Sequence, residues 1–120
     1  MWTWKQSTGE LLHDGNPDAE GYSGHGDGWN NPTCQAIPNV GPLPQGHYTI
    51  EPPVDTKTHG PFVLRLDPNP ANDMCGRSGF LIHGDAKADP GSASHGCIIL
   101  ARVVRERIAA SGDHHLEVIA

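Results

Sequence analysis

The sequence predicts a mostly β domain of short strands, with one short helix near the C-terminus. Three observations carry this. Gly (15) and Pro (11) together exceed a fifth of the 120 residues, which interrupts the chain too often for a helix bundle. Apolar residues alternate in short runs, as in Trp2-Thr3-Trp4 and Phe62-Val63-Leu64-Arg65-Leu66, which is the repeat of a half-buried strand. Only one stretch, about Ala101 to Ala110, has the spacing of an amphipathic helix. A chain of this length suits one core, so residues 1–120 read as a single domain.

The elements follow in order. Trp2 to Gln6 alternates and reads as a first strand; Ser7-Thr8-Gly9 turns it. Leu11 and Leu12 begin a second strand, which Asp14-Gly15-Asn16-Pro17 ends. Gly15 to Pro44 is expected to be one long loop, with Tyr22 and Trp29 as anchors and the Gly21 to Gly28 stretch as a wall or lid over a cleft. That stretch lacks the Gly-Lys-Ser/Thr ending of a phosphate loop. His47 to Ile50 is a strand stopped by Pro52-Pro53; Phe62 to Leu66 is another, stopped by Pro68 and Pro70. Gly79 to His83 reads as a buried strand, Asp85 to Ser94 as a polar loop, and Cys97 to Leu100 as an apolar lead into the helix. In the helix Leu100, Val104 and Ile108 form the inner stripe, Arg102, Arg105 and Glu106 are expected in solvent, and Gly112 suits the position just past its end. Leu116 to Ile119 is the last strand.

Net charge is -6 and the eight Lys and Arg form no basic block, which argues against a nucleic-acid partner. No run of 18 apolar residues is present, so no membrane span is expected. Met1-Trp2-Thr3-Trp4-Lys5 lacks the basic start and apolar stretch of a Sec signal peptide. The cysteines are Cys34, Cys75 and Cys97. An odd count leaves at least one unpaired. Either Cys34 and Cys75 form a disulfide and Cys97 is free, or all three are reduced thiols.

The chemistry concentrates in Phe80-Leu81-Ile82-His83-Gly84-Asp85 and Ser94-His95-Gly96-Cys97-Ile98-Ile99. Acyl transfer by a cysteine needs a thiolate, a base to take its proton, and N–H donors for the oxyanion. Cys97 is the candidate nucleophile, His83 the base at the end of a strand, and the Gly96 and Cys97 N–H groups the oxyanion donors, with Ser94 capping the turn. The helix that follows is expected to favour the thiolate through its N-terminus.

This pattern resembles the L,D-transpeptidase (YkuD-like) signature, an upstream His-Gly followed by Ser/Thr-His-Gly-Cys. Tyr22-Ser23-Gly24, Asn30-Asn31-Pro32, Gly41-Pro42-Leu43-Pro44-Gln45-Gly46-His47-Tyr48-Thr49-Ile50, Gly60-Pro61 and Arg77 extend the likeness to the L,D-transpeptidase effectors delivered by type VI secretion. The resemblance implies a β-sandwich or barrel-like fold of the L,D-transpeptidase type. It also implies a monomeric cysteine enzyme without a cofactor, acting on peptidoglycan peptide stems in the periplasm of a target bacterium, with a periplasmic immunity protein as partner. By position Cys97 is the nucleophile, His83 the base and His95 the second histidine of the motif. The implied reaction forms a thioester at the L,D-bond, resolved by water (carboxypeptidase) or by an amine (transpeptidase). One departure stands out: the general family has Arg or Asn two residues after the cysteine, where this chain has Ile99. Arg77 is expected to replace it as the binder of a stem carboxylate, with Tyr22, Asp85 and Ser94 as further substrate contacts.

Three other readings compete. His83, Asp85, His95, Cys97, His114 and His115 are metal-ligand types, but without a Cys-x-x-Cys or His-Glu-x-x-His spacing. Trp2, Trp4, Tyr22 and Trp29 suit a non-catalytic cell-wall binding module. Asp14, Asp18, Asp27, Asp85 and Asp89 supply carboxylates for a glycosidase, though such a pair is recognised only in space.

Overall fold

A computed structural model describes residues 1–120. Ten strands and one helix follow one another: β1 (Trp2–Lys5), β2 (Glu10–His13), β3 (Asn16–Glu20), β4 (Tyr22–Ser23), β5 (Gly46–Ile50), β6 (Val54–Thr56), β7 (Gly60–Pro68), β8 (Leu81–His83), β9 (Ile98–Ile99), α1 (Arg102–Ala110) and β10 (His115–Ile119). The protein is mostly β, as the composition predicts. Nine strands form one path in the order β3-β2-β1-β10-β5-β7-β8-β9-β4, and β6 pairs with β7 beside it. Two pairs are parallel, β1 with β10 and β8 with β9; the rest are antiparallel.

The path ends on β3 and β4, which are consecutive in the chain with only Gly21 between them. One residue spans at most about 3.6 Å, so the sheet must curl until its two ends meet. Gly21 is the joint. Its N–H donates to Gly9 O at 2.8 Å. A Cβ there would stand 2.0 Å from Ile99 O, so only glycine fits between the two ends. This is the barrel-like form expected, closed by a chain crossing.

Inside the curl lies one core that includes Trp2, Trp4, Leu11, Leu43, Tyr48, Leu64, Ile82, Ile98, Leu100 and Leu116. Trp2 and Trp4 both face it because alternate strand residues share a face. α1 packs on β7 and β8 and adds Val104 and Ile108 to the core. The helix ends as expected: Ser111 N–H donates back to Arg107 O, and Gly112 follows at φ 70°.

Three expectations need correction. The Gly15–Pro44 loop contains β3, β4 and two short 3-10 turns, at Gly26–Gly28 and Pro32–Cys34. Pro17 hid β3, an edge strand where a missing N–H is tolerated. β6 lies just past Pro52-Pro53, which ends one strand without preventing the next. Arg105, expected in solvent, is only 6% exposed. Its long side chain runs from the helix flank inward to the start of β7, where Nη1 donates to Pro61 O (3.0 Å) and Phe62 O (2.9 Å).

Candidate active site

β8 and β9 pair in parallel, Ile82 with Ile98 and His83 with Ile99. Ile82 and Ile98 point into the core. Their neighbours Leu81, His83, Cys97 and Ile99 therefore belong to the opposite face. By this register Cys97 stands beside Leu81, and Leu81 N–H donates to Cys97 Sγ at 3.4 Å. His83 lies one same-face step further along the neighbouring strand. A strand spacing near 4.8 Å and a rise of 3.3 Å per residue give a diagonal of about 8 Å between the two Cα atoms. An imidazole and a thiol reaching toward each other can span that gap. Thirteen residues separate the pair in sequence, and the register of one parallel strand pair puts them on the same face, two positions apart.

Cys97 enters β9 from a turn held on several sides. Gly96 has φ 136°, and a Cβ there would press within 2.7 Å of both Arg77 Nη2 and the Phe80 ring. Ser94 is fully buried: its Oγ accepts from Gly24 N (2.9 Å) and Gly96 N (3.1 Å) and donates to Cys97 O (2.6 Å). Ser23 Oγ donates to Gly96 O and accepts from Leu43 N. Ser94 thus caps the turn, as expected, but its hydroxyl is fully occupied and offers substrate nothing. Of the two expected oxyanion donors, the Gly96 N–H is already taken by Ser94, which leaves the Cys97 N–H.

Arg77 is likewise redirected. Its guanidinium donates to Gln35 O (2.6 Å), Pro42 O (2.8 Å), Gly41 O (2.9 Å) and His95 O (3.2 Å), and lies 5.2 Å from the Phe80 ring centre. Four backbone acceptors leave no free edge for a carboxylate. Arg77 instead ties the Gln35–Pro42 segment to the cysteine turn and sets a positive charge near Cys97.

The electrostatics describe a neutral pair at rest. Burial pushes the Cys97 thiol up, opposed by the Leu81 N–H and the Arg77 charge. Burial pulls His83 below its ordinary value, opposed by its bond to Gly84 O. That bond, from Nδ1 at 2.8 Å, also fixes the tautomer. A carbonyl only accepts, so Nδ1 carries the proton and the Nε2 lone pair is free to act as a base.

His83 opens onto a cleft of about 720 Å³ that His59, Asp85, Lys87, Ser92, His95, Arg102 and Arg105 also line. A second cavity of about 380 Å³ shares Gly84, Asp85, Arg102 and Arg105 with it and reaches Tyr22 and Ile99. Asp85 braces the wall between them. Burial alone would raise its carboxyl, yet bonds from Tyr22 OH (2.6 Å), Gly91 N and Ala86 N hold it below the usual range. Tyr22, pushed up to about 12 by burial and by Asp85, remains a donor. Its ring stacks on Trp29 at 3.8 Å, so the pair anchors the glycine-rich segment as expected. That segment reaches the site, with the His25 ring 5.4 Å from that of His95, which is exposed. Sequence reading missed His59, whose ring lies 4.8 Å from His83; nothing in Thr58-His59-Gly60 marks it.

The competing readings fare as follows. His114 and His115 lie at the start of β10, where His115 meets His47, away from His83 and Cys97. The three-residue cluster with metal-ligand spacing is His13, Asp14 and Asp113, none of them among the expected ligands except by residue type, and the Met1 ammonium bridges both acids at 2.6 Å. Trp2 and Trp4 are core residues and cannot stack on a glycan. Cys34 and Cys75 are free thiols, not a disulfide: Cys34 Sγ turns to Asp27 O and Asn31, and Cys75 Sγ to Asp73 O.

The fold is similar to that of solved L,D-transpeptidases. An L,D-transpeptidase (Yku) from Stackebrandtia nassauensis superposes with a TM-score of 0.56 at 14% identity, over 99% of this chain and 54% of that one. An L,D-transpeptidase from Mycobacterium smegmatis gives 0.50 at 17% identity, over 99% and 58%. The chain spans little more than half the length of these structures. No curated protein matches it. The Tlde1 domain family model matches residues 17–119, and the chain belongs to that family of type VI effectors.

Proposed function

We propose that this domain is a peptidoglycan-modifying cysteine enzyme that cuts the L,D-bond of tetrapeptide stems. The observation that carries this reading is the parallel β8–β9 pair, whose register puts Cys97 and His83 on one face of the sheet, with His83 on an open cleft and in the tautomer of a base. His83 Nε2 takes the Cys97 proton as Sγ attacks the carbonyl before the terminal D-residue. The Cys97 N–H meets the developing oxyanion. The tetrahedral intermediate collapses, His83 returns the proton to the departing amine, and a thioester remains. Water then releases the shortened stem, or an amine exchanges for the residue lost; both follow from the same acyl-enzyme. Because both groups rest neutral, proton transfer accompanies attack. His95, exposed at the rim, is assigned to substrate contact. The same reading carries periplasmic action after delivery by a secretion apparatus, and an immunity protein that plugs the cleft.

The test is incubation with tetrapeptide muropeptides, followed by mass spectrometry, beside Cys97→Ala. Loss of one D-Ala with the wild type alone is the expected result, and added D-Met separates exchange from hydrolysis. Stems left intact by the reduced wild-type protein would reject the reading.

A further inference from the structure

Arg105 is the one buried cation in this molecule without a full set of partners. It is 6% exposed and lines both the cleft beside His83 and the smaller cavity that shares its wall. Nη1 is taken by Pro61 O and Phe62 O. Nε is buried without any hydrogen-bond partner. Nη2 donates to nothing and stands 3.0 Å from where a Cβ on Gly84 would be. No carboxylate makes an ion pair with it. Asp85, the acid that lines both cavities with it, is already bonded to Tyr22, Ala86 and Gly91. A buried guanidinium without a counter-ion is costly, and such groups are ordinarily paired.

The free atoms have a definite shape. Nε and Nη2 share one edge of the guanidinium, and two parallel N–H groups on one edge match the two oxygens of a carboxylate. Gly84 leaves this edge uncovered: a side chain there would meet Nη2. The same cavity wall contains Ile99. Arg102, at the start of α1, lines both cavities and adds a second positive charge. Gly84 directly follows the base His83. Arg105 and His83 line the same cleft.

We propose that the Nε–Nη2 edge of Arg105 receives the terminal carboxylate of the residue that the enzyme releases, so that Arg105 sets its preference for the last peptide bond. This rests on the peptidase reading above. It makes Arg105, not Arg77, the carboxylate receptor of the site.

The experiment compares a tetrapeptide stem ending in a free acid with the same stem ending in a primary amide. With the wild type, KM is at least about tenfold higher for the amide, the scale of one lost charged hydrogen-bond pair. In Arg105→Gln, KM for the acid rises by a similar factor and the preference for acid over amide vanishes, while Arg105→Lys keeps part of it. Equal wild-type KM values for acid and amide would overturn the proposal. So would an Arg105→Gln protein that loses rate equally on both stems, since that is the mark of a brace for the start of β7, where Phe62 sits at φ 54°. Should Arg105→Gln fail to fold, the wild-type and Arg105→Lys ratios decide. Calorimetric binding of both stems to Cys97→Ala separates the two ideas: acid-selective binding without turnover in the wild type would reject the peptidase reading and keep the receptor, whereas turnover without acid preference does the reverse.

Discussion

At the scale of single residues, what sets the candidate site apart is that Cys97 and His83 both rest uncharged. Burial is the first cause in each, raising Cys97 and lowering His83. His83 therefore stays an unprotonated base to lower pH than a free imidazole, whose ordinary value is 6.5. The acid limb of kcat/KM is expected below pH 6.5, read from initial rates on a muropeptide. A midpoint above that value would mean that another group, or a charged pair, controls the rate. Stability carries the same sign. The unfolded chain takes the proton first as pH falls, so His83 costs stability from about pH 6.5 down through its native value, with no further loss below. His83→Gln should abolish turnover and flatten that part of the pH dependence of Tm. Legibility divides the same way. The His83-Gly84 and Ser94-His95-Gly96-Cys97 strings pointed to the candidate pair from sequence, because each group's chemistry is in its own side chain. What Arg77 and Arg105 do was not legible, because it depends on which carbonyls lie within reach. Arg77 meets four and is used up; Arg105 meets two and keeps an edge free. A helical stripe assigns Arg105 to solvent, since it sees where the Cα faces but not where a long side chain ends.

At the scale of elements, the site depends on how a sheet is closed. β8 and β9 pair in parallel near one end of the strand path, and β4 covers β9 through Tyr22–Ile99 and Ser23–Ile98. β4 arrives there only because Gly21 lets the chain cross from the other end of the sheet. The strands that alternation reveals, such as β1 and β7, were readable in sequence. β3, β4 and β6 were not: β3 starts on an edge with Pro17, β4 has two residues, and β6 has three. Short edge strands take their form from the neighbours they pair with rather than from their own pattern. Gly21→Ala drives a Cβ to 2.0 Å from Ile99 O, a backbone atom, with Leu100 Cδ2 at 2.9 Å. It should cost about 3 kcal/mol or more, at the upper end of overpacking. Gly15→Ala meets nothing within 4 Å and suffers only from its φ of 82°, so about 1 kcal/mol is expected. Urea unfolding of the two variants tests this, and equal losses would show that Gly21 is not the joint. Gly21→Ala should also lower activity at temperatures where the protein is still folded, because β4 holds Gly96 through Ser23.

At the scale of the whole molecule, net charge and local charge oppose each other. The protein carries -6 overall, yet Lys87, Arg102, Arg105 and two histidines beside His83 line its cleft, against Asp85 alone, whose charge is already bonded. A stem peptide with several carboxylates is repelled at long range and attracted at the mouth. Salt separates the two effects. Raising ionic strength from about 0.05 M to about 0.5 M shortens the Debye length from roughly 14 Å to roughly 4 Å. Once substrate is bound, the cations of the cleft lie nearer to it than the rest of the protein's charge, so the attraction in the cleft decides the sign. KM should rise several-fold across this range while kcat holds, because the proposed proton transfer from Cys97 to His83 is a short-range step that salt screens little. An amide-terminated stem should show a shallower rise, since one of the charges being screened is gone. A KM that falls with salt would mean that the acidic exterior governs encounter and that the basic lining contributes little to binding. Steady-state rates on acid and amide stems at four or five salt concentrations are enough to tell the two apart.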